Sequence, residues 1–239
     1  MHVTNQLSLA LSREPRFAEA DFRAAPSNDA ARAWLRRMDE WPNRRLALWG
    51  DAGCGKTHLL HIWSQRTGAQ LRSGSDLMGL PALPRHGIAL DDAGAVADES
   101  ALLHLLNAAA EAGIPLLLAA REPPARWAVS LPDLASRLRA MTAVRIGPPE
   151  DALLRALLTR LLADRPLEVS EPVQEWLVHR LPRSSAVLRD AVARLDVASF
   201  ELQRRITAPF AAHVLADLLA PDEISGTPMP PSRDGPPLL

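Results

Sequence analysis

The residues best equipped for chemistry lie in one octapeptide, Gly50-Asp51-Ala52-Gly53-Cys54-Gly55-Lys56-Thr57. Glycines at Gly50, Gly53 and Gly55 let the backbone curl until successive N–H groups converge on an anion. Lys56 adds a cation, and Thr57 adds a hydroxyl suited to hydrated Mg²⁺. The spacing is GxxxxGK[ST], and it falls between an apolar run and a helical pattern, the context in which this motif cradles phosphates. Lys56 is therefore predicted to neutralise β- and γ-phosphates and Thr57 to hold Mg²⁺. Composition singles out the same side chain: of 27 basic residues, Lys56 is the only lysine. A coding bias that replaces lysine by arginine leaves lysine where a compact ammonium on a flexible stem is required.

A second chemical group is Ile88-Ala89-Leu90-Asp91-Asp92, an apolar strand closing on two carboxylates. Acids at the C-terminal end of a parallel strand stand beside a phosphate-binding loop. Asp91 is predicted to organise Mg²⁺, and Asp92 to orient or deprotonate an attacking water. Cys54 needs only to be small, although a helix N-terminus would favour its thiolate. His58 and His61 have helical i, i+3 spacing but no evident third ligand, so they read as packing residues rather than a metal site. The six tryptophans read as packing residues too.

These groups need a frame. Apolar strands are predicted at 45–49, 87–91, 114–119 and 143–146, and helices at 27–38, 56–67, 99–112 and 131–141. The first helix has Ser27 or Asn28 as its cap, and Gly68 stops the second. Strands alternating with helices and apolar throughout predict an α/β fold, a parallel sheet covered on both faces. After Gly147-Pro148-Pro149 only helices follow, at 150–164, 171–181, 184–203 and 209–219. The organisation expected is an arm at 1–16, an α/β base at 17–147, a small all-helical lid at 148–220 and a Pro-rich, disordered tail at 221–239.

The chain has 239 residues, a net charge of −1 and a single cysteine. That is enough to bury a sizeable core, and it excludes a disulfide framework and a Cys-rich zinc site. Balanced charge gives no electrostatic reason to expect dedicated nucleic-acid binding. The apolar stretch 101–120 carries His104, Asn107 and Glu111 and is broken by Gly113 and Pro115, so it predicts a helix and a strand rather than a membrane span. The expectation is a soluble, cytoplasmic protein.

Taken in order, GKTHLLH after the loop, ALDDAG at the acids, REPP after a central strand, LPDLASRL at 131–138 and RRITAPFAAHVL at 204–215 resemble the DnaA-related branch of AAA+ ATPases over roughly residues 17–219. The resemblance implies an AAA+ base and lid binding ATP or ADP with Mg²⁺. It also implies that Arg137 is an arginine finger acting on a partner's nucleotide. No room remains after the lid helices for the initiator's C-terminal helix-turn-helix domain, which turns the expectation from an initiator toward a regulator. The peptide Gln6-Leu7-Ser8-Leu9-Ala10-Leu11 is similar to the peptide by which a regulatory member of the branch binds the DNA polymerase III β sliding clamp. Gln6 would be the polar anchor, and Leu7, Leu9 and Leu11 the apolar part.

The implied partners are the DnaA initiator and the clamp, with DNA reached indirectly through the clamp, no membrane, and homo-oligomerisation left open. The implied function is promotion of hydrolysis of DnaA-bound ATP. Two features depart from the branch. Ala120-Arg121-Glu122 stands where a small polar residue and Asp are usual, and Ala186 stands where the lid's sensor arginine would fall, with Arg183 or Arg189 as substitutes. Nucleotide binding survives such changes more readily than hydrolysis. The competing readings are an autonomous ATPase such as a DnaC-like helicase loader, and a scaffold that binds nucleotide only for stability.

Overall fold

The computed structural model describes residues 17–219 except 81 and 166. The clamp-like peptide at Gln6, Leu7, Leu9 and Leu11 and the Pro-rich tail lie outside the described residues. Among them, five parallel strands alternate with helices in the order α1 (Pro26–Arg36), β1 (Arg45–Trp49), α2 (Lys56–Thr67), β2 (Gln70–Ser73), β3 (Ile88–Asp91), α3 (Glu99–Glu111), β4 (Leu116–Ala120), α4 (Pro132–Arg139) and β5 (Ala143–Arg145). The strands lie side by side as β2-β3-β4-β1-β5, with register pairs such as Leu46↔Leu117 and Leu90↔Leu118.

The apolar strands divide their side chains between two layers, as a pleat of period two requires. Leu46, Leu48, Leu117 and Ala119 bury against Leu59, Leu60 and Trp63 of α2 and Ala31 of α1. Ala47, Ile88, Leu90, Leu116 and Leu118 bury on the other face against Leu102 and Leu105 of α3 and Leu134 and Leu138 of α4. Each fully buried leucine contributes about 1.5–3 kcal/mol of transfer free energy. The stretch 101–120 is consumed in this core as α3 and β4, and among the described residues no helix is long and apolar enough to cross a membrane.

Four helices follow: α5 (Asp151–Ala163), α6 (Glu171–Arg180), α7 (Ser185–Leu202) and α8 (Ala208–Val214). They enclose their own core of Leu154, Leu158, Leu177, Leu188, Leu195 and Phe210. The junction between the two cores is clipped by the start of α1. The Gly147 amide donates to the Ser27 carbonyl (2.9 Å). Glu150, the cap residue of α5, accepts from the Ser27 amide (2.6 Å) and hydroxyl (3.1 Å).

Three local expectations are corrected. The first helix begins earlier than a Ser27 or Asn28 cap implies: Ala25 is its cap residue and Pro26 its first helical residue, the position proline favours. This leaves Ser27 free to hold Glu150, while the Asn28 side chain accepts from the Ala25 amide and donates to the Arg23 carbonyl. The edge strand β2 falls outside the expected set, because Gln70-Leu71-Arg72-Ser73 carries no apolar run. The last helix ends at Val214 rather than 219, as residues 215–218 turn back on themselves.

Candidate functional site

The octapeptide leaves the C-terminal end of β1 and runs into α2, while β4 lies between β1 and the acid-tipped β3. Two glycines make the turn possible. Gly55 caps α2 in the left-handed region (φ 109°). At Gly53 (φ 77°), a Cβ would come within 2.6–2.7 Å of the Ala186 amide nitrogen and Cβ, so only a residue without a side chain admits the lid so close.

Lys56 is 8% exposed. Its ammonium donates to the Gly50 and Asp51 carbonyls (2.7 and 2.8 Å) and lies 3.7 Å from the Cys54 sulfur. The loop thus holds its cation inward on two backbone carbonyls of its own. Thr57 Oγ1 donates to Asp91 Oδ2 at 2.6 Å, bringing together the two residues expected at Mg²⁺. A hydroxyl and one carboxylate suit an ion that keeps several waters and takes its other ligands from phosphate oxygens. The donor set and the loop therefore fit a Mg²⁺-nucleotide. Burial pushes the Cys54 thiol above its usual range, and neighbouring Lys56 only partly opposes this, which disfavours the thiolate.

Asp92 is placed differently from Asp91. It is exposed, sits in the left-handed region (φ 46°) and heads a short 3-10 turn, Ala93–Ala95. It lines a cavity of about 330 Å³ with Ala120, Arg121 and Trp127. The unusual Ala120-Arg121 pair therefore borders the same space as the residue expected to handle water.

A strap ahead of α1, invisible to the period-based reading, crosses the first turns of α2. Phe17 stacks on His61 (centroids 4.0 Å, planes 13° apart) and meets His58 edge-on at 5.5 Å. Phe22 meets His58 edge-on at 5.1 Å and lies 3.2 Å from the position a Cβ would take on Gly55. His58 Nε2 pairs with the Ala18 carbonyl at 2.9 Å; since a carbonyl only accepts, that nitrogen carries the proton. Asp21 then pairs with Arg160 of α5, so the strap ties base to lid. The one sequence signal was that two of the chain's four phenylalanines fall within this short segment. Among the described residues, no cluster of His, Cys, Asp and Glu could hold a metal ion by itself.

Arg137 lies elsewhere. It is bound by Asp133 one turn back on α4 (3.2 Å). Its charge, after burial, is the second cause depressing the pKa of Arg45, the residue that opens β1. The phosphate loop follows the other end of β1, five residues on at about 3.3 Å each. Arg139 is exposed on the same helix. In the lid, Arg183 is engaged by Asp151 at 2.8 Å. At the loop, Ser184 Oγ donates to the Ala52 carbonyl (3.1 Å) and Ala186 touches Gly53.

Comparison with known proteins fits this architecture. A family model described as the Hda lid domain matches residues 151–215. An uncharacterized protein of Haemophilus influenzae is 32% identical over 184 residues, covering 70% of this chain and 80% of that one. The chain is therefore Hda-like in its lid and belongs with this Haemophilus influenzae relative. Among solved structures, domain III of the Thermotoga maritima replication initiation protein DnaA superposes with a TM-score of 0.69 at 16% identity, over 87% of this chain and 98% of that chain. AMPPCP-bound DnaA from Aquifex aeolicus gives 0.63 at 18% identity, over 80% and 68%. A point variant of Thermotoga maritima RuvB gives 0.64 at 17%, over 85% and 72%. At such identities the likeness concerns the fold, an AAA+ base with a helical lid, as expected from the sequence.

Proposed function

We propose that this Hda-like chain binds ATP or ADP with Mg²⁺ and regulates replication initiation by promoting, together with the β sliding clamp, hydrolysis of ATP held by DnaA. Gly50, Gly53, Gly55 and Lys56 would wrap the phosphates, and Thr57 and Asp91 would hold Mg²⁺, which supplies charge neutralisation on the phosphate oxygens. The adenine base is inferred from the family and from the AMPPCP named for a DnaA neighbour. Gln6, Leu7, Leu9 and Leu11 would dock on the clamp, which in turn brings DNA close.

The observation that carries this reading is the separation of Arg137 from the chain's own phosphate loop. It stands in the last turn of α4, from which the chain enters β5 beside the start of β1, where the Ala47 amide donates to the Thr142 carbonyl, while the loop follows the far end of β1. A finger there serves a neighbour's nucleotide rather than its own. An arginine supplied in trans stabilises charge on the transferring phosphoryl group and contributes about 10³–10⁵ in rate. The exposed, left-handed Asp92 and the Ala120-Arg121 substitution argue against fast turnover by this chain itself.

The test is hydrolysis of DnaA-bound ATP in the presence of this protein, clamp and DNA, omitting each in turn. Arg137→Ala is expected to fold, bind nucleotide and bind clamp, yet lose stimulation by at least about 10³-fold. Arg137→Lys is expected to fail nearly as badly, because an ammonium cannot reproduce the planar fork. Full stimulation by Arg137→Ala would refute the assignment.

A further inference from the structure

We propose that Asp21 and Arg160 form a latch between the strap and the lid, and that its opening sets how fast a nucleotide enters and leaves the phosphate loop. The latch rests on reading the loop as a nucleotide site, and it governs the rates of exchange there rather than the contacts that hold the ligand.

The segment 21–27 grips α5 at two places. At the start of the helix, Ser27 holds the cap residue Glu150 through its amide and hydroxyl, and its carbonyl takes the Gly147 amide. These bonds lie where the chain itself crosses from base to lid, so that end is a pivot. Arg160 stands ten residues along the same helix, about 15 Å away at 1.5 Å per residue. There the guanidinium donates to the Asp21 carboxylate and, at 3.4 Å, to the Asp21 main-chain carbonyl. The Arg160 and Asp21 side chains remain 38% and 20% exposed, and an ion pair so open to water is readily broken. One end of α5 is thus hinged and the other end releasable.

The strap side of the latch is fixed to the base. Phe17 stacks on His61, Phe22 meets His58 edge-on, and His58 pairs with the Ala18 carbonyl. Opening therefore moves the lid and leaves the strap in place. Both pieces rest on the loop. Ser184 and Ala186 of the lid touch Ala52 and Gly53, and the Phe22 ring stands 3.2 Å from where a Cβ would sit on Gly55. Asp21, the residue before Phe22, joins these two covers, and a nucleotide exchanges when they part.

The full-length chain and its Asp21→Ala, Arg160→Ala, double and Arg165→Ala variants would be mixed with ADP carrying a fluorescent group on its ribose, in a stopped-flow instrument. Each latch variant is expected to speed association and dissociation by the same factor, about 5-fold for the loss of one partly exposed ion pair. The Kd then stays as it is, the signature of a gate rather than of a ligand contact. The double variant should exchange no faster than either single one, because one interaction is lost only once. Arg165→Ala, which breaks the pair with Asp196 inside the lid, should leave both rates unaltered. Unchanged rates in the latch variants, faster dissociation alone, effects that multiply in the double variant, or equal acceleration by Arg165→Ala would each overturn the latch. Failure of the wild-type chain to bind ADP at all would instead overturn the nucleotide reading, and the latch with it.

Discussion

Lys56 holds two carbonyls of its own loop, Gly50 and Asp51, at 2.7 and 2.8 Å. This geometry needs three donors spread over a compact centre on a stem that can pivot toward an arriving phosphate. A guanidinium presents its donors in a fixed planar fork and is longer. Lys56→Arg is therefore expected to keep the fold but weaken ADP binding at least about 10-fold, read by calorimetry. A fixed concentration of ADP should then raise the melting temperature less than it does for the wild type, as ligand linkage requires. Unaltered affinity would mean that this lysine is an accident of composition. At this scale the sequence was informative where composition and motif coincided, as at Lys56, Thr57 and Asp91. It was silent where the decision lies in rotamer and neighbour: Arg183 and Arg189 sit on the same short segment, and only the Asp151 pairing of Arg183 separates them.

Among elements, the strap at 17–22 has the least sequence signal and the most specific contacts. Its docking depends on two imidazoles that must stay neutral. Desolvation lowers the pKa of His58; the Ala18 carbonyl and Asp21 oppose this, while Arg189 and His61 add to it. Desolvation also lowers that of His61, with Asp91 opposing. In the unfolded chain both protonate near pH 6.5. Their folded values lie lower, so between the two the unfolded state binds more protons, and stability falls as pH falls. The contribution is complete above about pH 6.5 and is lost through the depressed folded values. Melting temperatures at about pH 7.5 and pH 5.5 should differ more for the wild type than for a His58→Phe, His61→Phe double variant. An equal difference would remove these rings from the account. The main elements were legible because buried parallel strands are apolar along their whole length. The polar edge strand β2 and the strap were not, because their stability comes from partners rather than from period.

For the whole molecule, the decisive contact spans 123 residues of sequence: Ser27 grips Glu150 at the junction of the two cores. No local pattern could reveal it. Glu150→Gln preserves shape but removes the charge from the hydrogen bond to the Ser27 amide. The expected cost is about 1 kcal/mol, or a fall of roughly 2–4 °C in melting temperature, with faster proteolytic cleavage at 147–150. A variant as resistant as the wild type would show that the clip does not hold the lid. The lone lysine also has a meaning at this scale. Every other basic side chain is a guanidinium or an imidazole, so Lys56 is the only side-chain amine that a stable acyl group can cap. Apart from the α-amino group, the amine chemistry of the entire protein is the amine chemistry of its phosphate loop, and an amide-linked acyl group on a side chain reads out that loop alone.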